Sequence, residues 1–380
     1  MGSKLYIVAG EASGDSRGAE LMRELQIRMP GVTFPGAGGR EMKAISPGIE
    51  DWAGEAVVGL WDVLKKYGYF RAQMRRMLDD IAREKPDALI TVDYPGFNMR
   101  LAKAAKARVP GLRTIHYVSP QVWAWHRGRI PKMARFIDLM LCLFPFELPL
   151  YKDAGLPAVC VGHPLLDTLA EKRDPSLVRD SGLIALLPGS RAKEIRRIFP
   201  VMLDAAVHLR MSDPRLRFEA AAASEELAAE MSGLMTAGGM DSSFCPITIH
   251  TAGSLMQRAA AGMVCSGTAT LEATYFGQPM VILYKVAWLT SIIGKQLMRI
   301  PWLGLPNVLA GREIAREFIQ EKADPGDIAT ELLRLLTEPG AREAQLASQR
   351  EVIASLGDPG AARRAAGAIA GVLGDAKRVP

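Results

Sequence analysis

Cysteine is scarce in this chain, and its spacing is uninformative. The 380 residues include 4 cysteines, Cys142, Cys160, Cys245 and Cys265, none in a C-x-x-C arrangement and each in or beside an apolar run. That excludes a disulfide framework and predicts buried thiols in a reducing compartment. The 5 histidines, His116, His126, His163, His208 and His250, show no close metal-ligand spacing, so no structural metal is expected. The G-x-G-x-x-G fingerprint is missing after the first strand, which disfavours a nicotinamide cofactor, and no cofactor is expected. No secretory leader is expected, because an apolar strand follows Lys4 at once. Spanning a bilayer takes roughly 20 uninterrupted apolar residues. The best stretch, 280–304, is broken by Lys285, Lys295, Arg299 and Pro301. A soluble or membrane-surface protein is expected. The charge is modest, +6 with a pI near 9.1, which admits a nucleotide, a phospholipid or a nucleic acid as partner. Lys and Arg are dispersed, and no helix-turn-helix, RNP or KH signature occurs, so nucleic acid is the poorest of the three.

What is present begins with residues 263–279, M-V-C-S-G-T-A-T-L-E-A-T-Y-F-G-Q-P. The apolar run 261–265 reads as a buried strand, Ser266-Gly267-Thr268 as a turn and N-cap, and 269–276 as a helix. A helix entered this way directs free N–H groups and its positive end at one spot, as a phosphate or diphosphate site requires. Glu272, one turn in, is placed to meet a sugar hydroxyl beside that anion. An ordinary capped helix explains the same residues. A second such turn at 184–195, I-A-L-L-P-G-S-R-A-K-E-I, favours the anion site. There Arg191 is able to pair with a phosphate bidentately, although a surface arginine at a helix start is the plainer account.

The rest of the pattern is strand, loop, helix, twice over. Strand 5–9 precedes a polar loop, Gly10 to Asp15, and a helix 16–29 with Leu21, Met22, Leu25 and Met29 on one face. Residues 32–40 read as a short strand and a glycine turn. Strand 88–92 ends in Asp93-Tyr94-Pro95-Gly96-Phe97-Asn98, and the carboxyl ends of strands are where ligands sit in open α/β sheets. Asp93 is thus either a general base or a turn residue capping the next helix. Strand 114–118 leads into Ser119 to Arg127, with Trp123, Trp125 and His126 in a loop that binds a ring or packs in the core. Two α/β domains are predicted: 1–164, a linker 165–182, and 183–326, followed by a helical segment 327–380 packed across both. The second domain carries both anion turns, and the first carries Asp93, Ser13 and Asp15. That division suits a nucleotide-sugar donor in the second and an acceptor in the first. Residues 57–78 mix Val57, Val58, Leu60, Trp61, Val63, Leu64 and Phe70 with Lys and Arg, as an amphipathic core helix or an interfacial helix on an anionic bilayer does.

Seven motifs in order carry a resemblance: G-E-A-S-G-D (10–15), D-Y-P-G-F-N (93–98), S-P-Q-V-W-A-W (119–125), V-G-H-P (161–164), L-P-G-S-R (187–191), S-G-T-A-T-L-E (266–272) and P-N-V-L-A-G-R (306–312). Together they are similar to the lipid-A-disaccharide synthases, over residues 10 to about 312. The resemblance implies the GT-B architecture, two Rossmann-like α/β domains facing across a cleft. It implies UDP-2,3-diacylglucosamine as donor and 2,3-diacylglucosamine 1-phosphate as acceptor, at the cytoplasmic face of a Gram-negative inner membrane. An α-linked donor and a β-1,6-linked product imply one inverting displacement, with Asp93 as base and His126 and His163 as rivals. Arg191 with the Thr268–Thr270 helix start would stabilise leaving UDP without a metal. Ser266, Gly267, Thr270, Glu272 and Asn307 would contact UDP, and Ser13 and Asp15 the acceptor or reacting sugar. With acylated substrates the interfacial reading of 57–70 gains weight, and 287–305 would join it at the anionic membrane surface. A homodimer is left open. Another GT-B enzyme, such as a UDP-sugar 2-epimerase, would share the 266–272 turn.

Overall fold

The computed structural model describes residues 2–52, 67–122, 127–285 and 301–376. They divide into two compact units, 1–164 with 358–380, and 165–357. The expected connection at 165–182 carries a helix, Leu165–Lys172, and the start of a strand.

The first unit is built on a parallel sheet of 7 strands, β1 (Leu5–Ala9), β2 (Gly36–Gly38), β3 (Ile49–Asp51), β4 (Ala88–Val92), β5 (Arg113–Tyr117), β6 (Leu139–Cys142) and β7 (Ala158–Cys160), ordered β3-β2-β1-β4-β5-β6-β7. β1 and β4 are buried along their whole length. Strands covered on both faces need apolar side chains at every position, and that is why these read as unbroken apolar runs. The order reverses between β1 and β4, so their carboxyl ends, at Ala9 and Val92, flank the crevice where such sheets take ligands. Residues 36–38, expected in a glycine turn, form a strand between β1 and β3. Helix Ala12–Arg28 packs on β1, and the final helix, Ala361–Ala376, packs on that helix. Arg364 fastens this last segment, donating from Nε to the Val161 carbonyl oxygen at 2.7 Å.

The second unit repeats the plan. β8 (Asp180–Leu187), β9 (Arg217–Ala222), β10 (Ile247–Ile249), β11 (Ala259–Cys265), β12 (Met280–Tyr284) and β13 (Glu317–Ile319) form a parallel sheet ordered β10-β9-β8-β11-β12-β13. The reversal falls between β8 and β11, which pair from Ile184–Ala261 to Leu187–Val264. Their carboxyl ends are Leu187 and Cys265, immediately before the two turns expected to bind an anion. The core gathers Ile198, Phe199, Met202, Phe218, Met263 and Phe318. Helix Ala192–Ser212 runs on through Pro200. Helices Pro325–Thr337 and Pro339–Ser355 belong to this unit, so the expected C-terminal segment divides, its last helix lying in the first unit.

Candidate functional site

In the second unit, a cavity of about 560 Å³ opens at the switch point, lined by Gly189, Ser190, Arg191, Ser266, Gly267, Thr268 and Glu272, among others. Two helices begin at its edge. Arg191 is the N-cap of helix Ala192–Ser212 and Gly267 that of helix Thr268–Tyr275, and in neither does a side chain cap the first turn. Uncapped starts leave N–H donors and the positive helix end for an anion. Gly267 has φ +146 and ψ −159, a conformation essentially closed to other residues, and nothing lies within 4 Å of where a Cβ would be. At Gly189, φ is +112, and a Cβ would lie 2.6 Å from Glu194 Oε2 and 3.3 Å from Cys265 Sγ. Glycine at both positions shapes the wall of the cavity.

Arg191 is exposed and held by Glu194, with Nη1 donating to Oε1 at 3.0 Å. It is free to swing onto an anion, because an exposed pair of this kind is weak. Glu272 is half-buried, and burial raises its carboxyl above the ordinary range, an effect opposed by Lys172. Among the described residues its carboxylate makes no hydrogen bond, so both carboxylate oxygens remain available for a ligand hydroxyl.

Three of the predicted contacts, Thr270, Asn307 and Ser266, have side chains engaged with protein. Thr270 is fully buried, and its hydroxyl donates to the Gly267 carbonyl oxygen at 2.7 Å. It closes the turn from beneath. Asn307 is also fully buried: Oδ1 accepts from the Ile314 and Ala315 N–H groups at 2.7 and 2.9 Å, and Nδ2 donates to the Ala315 carbonyl at 2.7 Å and to Glu317 Oε1 at 2.8 Å. Every polar position of its amide is committed to protein. Glu317 in turn accepts from the Leu303 and Gly304 N–H groups, and the Leu303 carbonyl accepts from Ser266 Oγ at 3.0 Å. Asn307 therefore supports the turn at Ser266 from behind. His250 and Lys172 also line the cavity and were not singled out from sequence.

In the first unit, Asp93 follows β4, with φ +51, and Tyr94 follows with φ +46. Consecutive left-handed residues without glycine are strained, and such strain concentrates at functional sites. Asn98 pins the corner, its Nδ2 donating to the Val92 and Asp93 carbonyl oxygens at 3.1 and 2.7 Å. Asp93 Oδ1 accepts from the Tyr94 N–H at 2.9 Å, and Oδ2 accepts from Arg17 Nη1 at 2.7 Å. Arg17 was missed in the sequence.

The stretch expected as a loop from Gly10 to Asp15 enters a helix at Ala12, four residues earlier than expected. Ser13 is exposed on its first turn, whereas Asp15 is buried. The Asp15 carboxylate accepts from the N–H groups of Gly39 at 2.7 Å, Glu41 at 2.9 Å and Met42 at 3.1 Å. It caps helix Arg40–Ile45, a carboxylate filled by backbone donors being a structural cap. His163 is buried against Phe144, and burial, with Arg17 nearby, pushes its pKa down to about 3. So weak a base is poorly matched to proton abstraction at neutral pH. His126, Trp123 and Trp125 lie outside the described residues, as do Val57, Val58, Leu60, Trp61, Val63 and Leu64. Phe70 is described. It is half-buried, 6.2 Å from Phe97 between ring centroids and packed on the first unit's core. No described helix is long and apolar enough to cross a membrane.

Comparison with known proteins agrees with this plan. The solved UDP-GlcNAc 2-epimerase from Neisseria meningitidis, bound to UDP-GlcNAc, matches with TM-score 0.60 at 12% identity, covering 98% of this chain and 100% of that one. A ugt transferase from Siraitia grosvenorii in complex with UDP matches with TM-score 0.58 at 11% identity, covering 98% and 99%. At such identities the likeness is one of fold, and the fold is the GT-B type. The lipid-A-disaccharide synthase of Geobacter sulfurreducens is 38% identical over 385 residues, covering 98% of this chain and 97% of that protein. The family profile described as lipid-A-disaccharide synthetase matches residues 5–369. The chain thus belongs to the lipid-A-disaccharide synthase family, and it is a glycosyltransferase of lipid A assembly.

Proposed function

We propose that this enzyme joins UDP-2,3-diacylglucosamine to 2,3-diacylglucosamine 1-phosphate, giving the β-1,6-linked disaccharide 1-phosphate and UDP. The observation that carries the reading is the meeting of two uncapped helix starts, at Arg191 and Gly267, on one cavity at the switch point of the second sheet. A diphosphate is the ligand such a pair suits, with Glu272 taking a sugar hydroxyl beside it.

In this reading the acceptor 6-hydroxyl oxygen attacks the donor's anomeric carbon as the bond to the UDP oxygen breaks. The proton passes to Asp93. Attack opposite the leaving group turns an α-linked donor into a β-linked product through an oxocarbenium-like transition state, as in single-step glycoside chemistry. Negative charge growing on the departing diphosphate is met by the Arg191 guanidinium and by the amides heading the two helices. The helix amides are fixed by the fold, so they reorganise little as the bond breaks, while the Arg191 side chain swings in from Glu194. Ser266, Gly267 and Thr268 form the anion turn, while Thr270 and Asn307 hold its shape. Contact with an anionic membrane surface, through residues 57–64, brings the enzyme to its acylated substrates. Substituting Leu60, Val63 and Leu64 by Ser should lower vesicle binding while UDP affinity persists.

The test of the reaction is UDP formation with and without the acylated acceptor, with the new linkage read by NMR. UDP should appear only with acceptor, and the product should be β-configured. UDP release without acceptor, as an epimerase or hydrolase would give, contradicts the proposal.

A further inference from the structure

Arg17 has no place in the reaction described so far, yet it touches the proposed base. It lies on helix Ala12–Arg28, and its side chain is 23% exposed. Nη1 donates to Asp93 Oδ2 at 2.7 Å, and among the described residues Asp93 is the one acceptor it reaches. A guanidinium carries five N–H donors in a fixed planar fork. One edge is therefore occupied by the carboxylate, and most of its donors remain open. The His163 ring beside it is neutral, pushed down to about 3 by burial and then by the Arg17 charge, so it offers no competing charge. Ser13 stands one helical turn before Arg17 on the same face, exposed, at the end of the sheet where ligands enter.

We infer that Arg17 binds the phosphate of the acceptor sugar on its free edge while its other edge holds Asp93. This rests on the acceptor assigned above. The anomeric phosphate and the 6-hydroxymethyl group flank the ring oxygen of one pyranose. A phosphate seated on Arg17 thus leaves the 6-hydroxyl within reach of the Asp93 carboxylate. One planar group measures the distance between the acceptor's charge and its nucleophile, and selects phosphorylated acceptors over neutral ones. Lysine supplies the charge but not the two-edged geometry.

The test compares kcat/KM for 2,3-diacylglucosamine 1-phosphate and for the same sugar with its phosphate removed, using wild type, Arg17→Ala and Arg17→Lys. Wild type should favour the phosphorylated acceptor at least tenfold. Arg17→Ala should abolish most of that preference, by raising KM for the phosphorylated acceptor, with KM for the donor unchanged. Arg17→Lys, which keeps the charge, should fold and retain an intermediate preference. A merely structural arginine would slow both acceptors equally. Full wild-type preference in Arg17→Lys and in folded Arg17→Ala overturns the inference, as does a wild-type enzyme indifferent to the phosphate. Failure of wild type to form UDP with either acceptor would instead overturn the reaction itself.

Discussion

Asn307 donates through Nδ2 to Glu317 Oε1 at 2.8 Å, and both side chains serve the loop behind the anion turn. Replacing Asn307 by Ala leaves the Ile314 and Ala315 amides and part of Glu317 without partners. Each such loss in a buried setting costs about 1–3 kcal/mol. The expected outcome is a loss of at least about 2 kcal/mol in urea unfolding, with UDP affinity falling as a secondary effect of the displaced turn. A direct ligand contact would give the opposite pattern, weakened UDP binding with stability intact.

Gly267→Ala places a Cβ in open space but at φ +146. The strain is conformational and falls on the turn itself, at about 1–3 kcal/mol. The folded variant should bind UDP at least about tenfold more weakly, the equivalent of about 1.4 kcal/mol. Isothermal titration checks this, and wild-type affinity would separate the turn from the nucleotide.

Asp15→Ala removes the cap of helix Arg40–Ile45, where one carboxylate takes three backbone N–H groups. Stability should fall by about 2 kcal/mol, since losing a capping side chain alone costs about 1 and buried donors add to it. UDP affinity should stay within twofold of wild type. Lost turnover at undiminished stability would return Asp15 to the reacting sugar.

His116 and His163 are both buried in the first unit, and burial pushes each down to about 3. The unfolded chain binds a proton at each near pH 6.5, so between about 6.5 and 3 it holds more protons than the folded one. Stability from these groups is complete above pH 6.5 and is lost as pH falls, by about 1.4 kcal/mol per pH unit for each histidine. Urea unfolding at pH 7 and pH 5 should show the decline, and His163→Asn should reduce its slope by about one proton. An unchanged slope would mean that His163 is protonated in the folded enzyme.

Much of the fold is legible in the sequence. The apolar runs at β1, β4, β8 and β11 announced strands, because parallel strands buried on both faces admit few polar side chains. The turns after them placed Arg191, Gly267 and Asp93 at strand ends. Strand order was not legible, since hydrogen bonding between distant strands leaves no local mark. Nor were the inward-facing polar residues. Asp15, Thr270 and Asn307 look like ligand contacts in a motif, but whether a carboxylate or amide meets substrate or a backbone N–H depends on segments far off in sequence, such as 39–42 and 314–317. Arg17 left one usable signal, its position four residues after Ser13, which puts both on one helical face. Its pairing with Asp93, 76 residues away, did not show.

In the proposed reaction a uridine diphosphate leaving group is held by the helix starts of the second unit. Amide hydrogen exchange of the whole enzyme with and without UDP tests it most directly. Slowed exchange at residues 191–194 and 267–270, with residues 10–15 and 93–98 unchanged, is the predicted result; protection confined to 10–15 and 93–98 would contradict it.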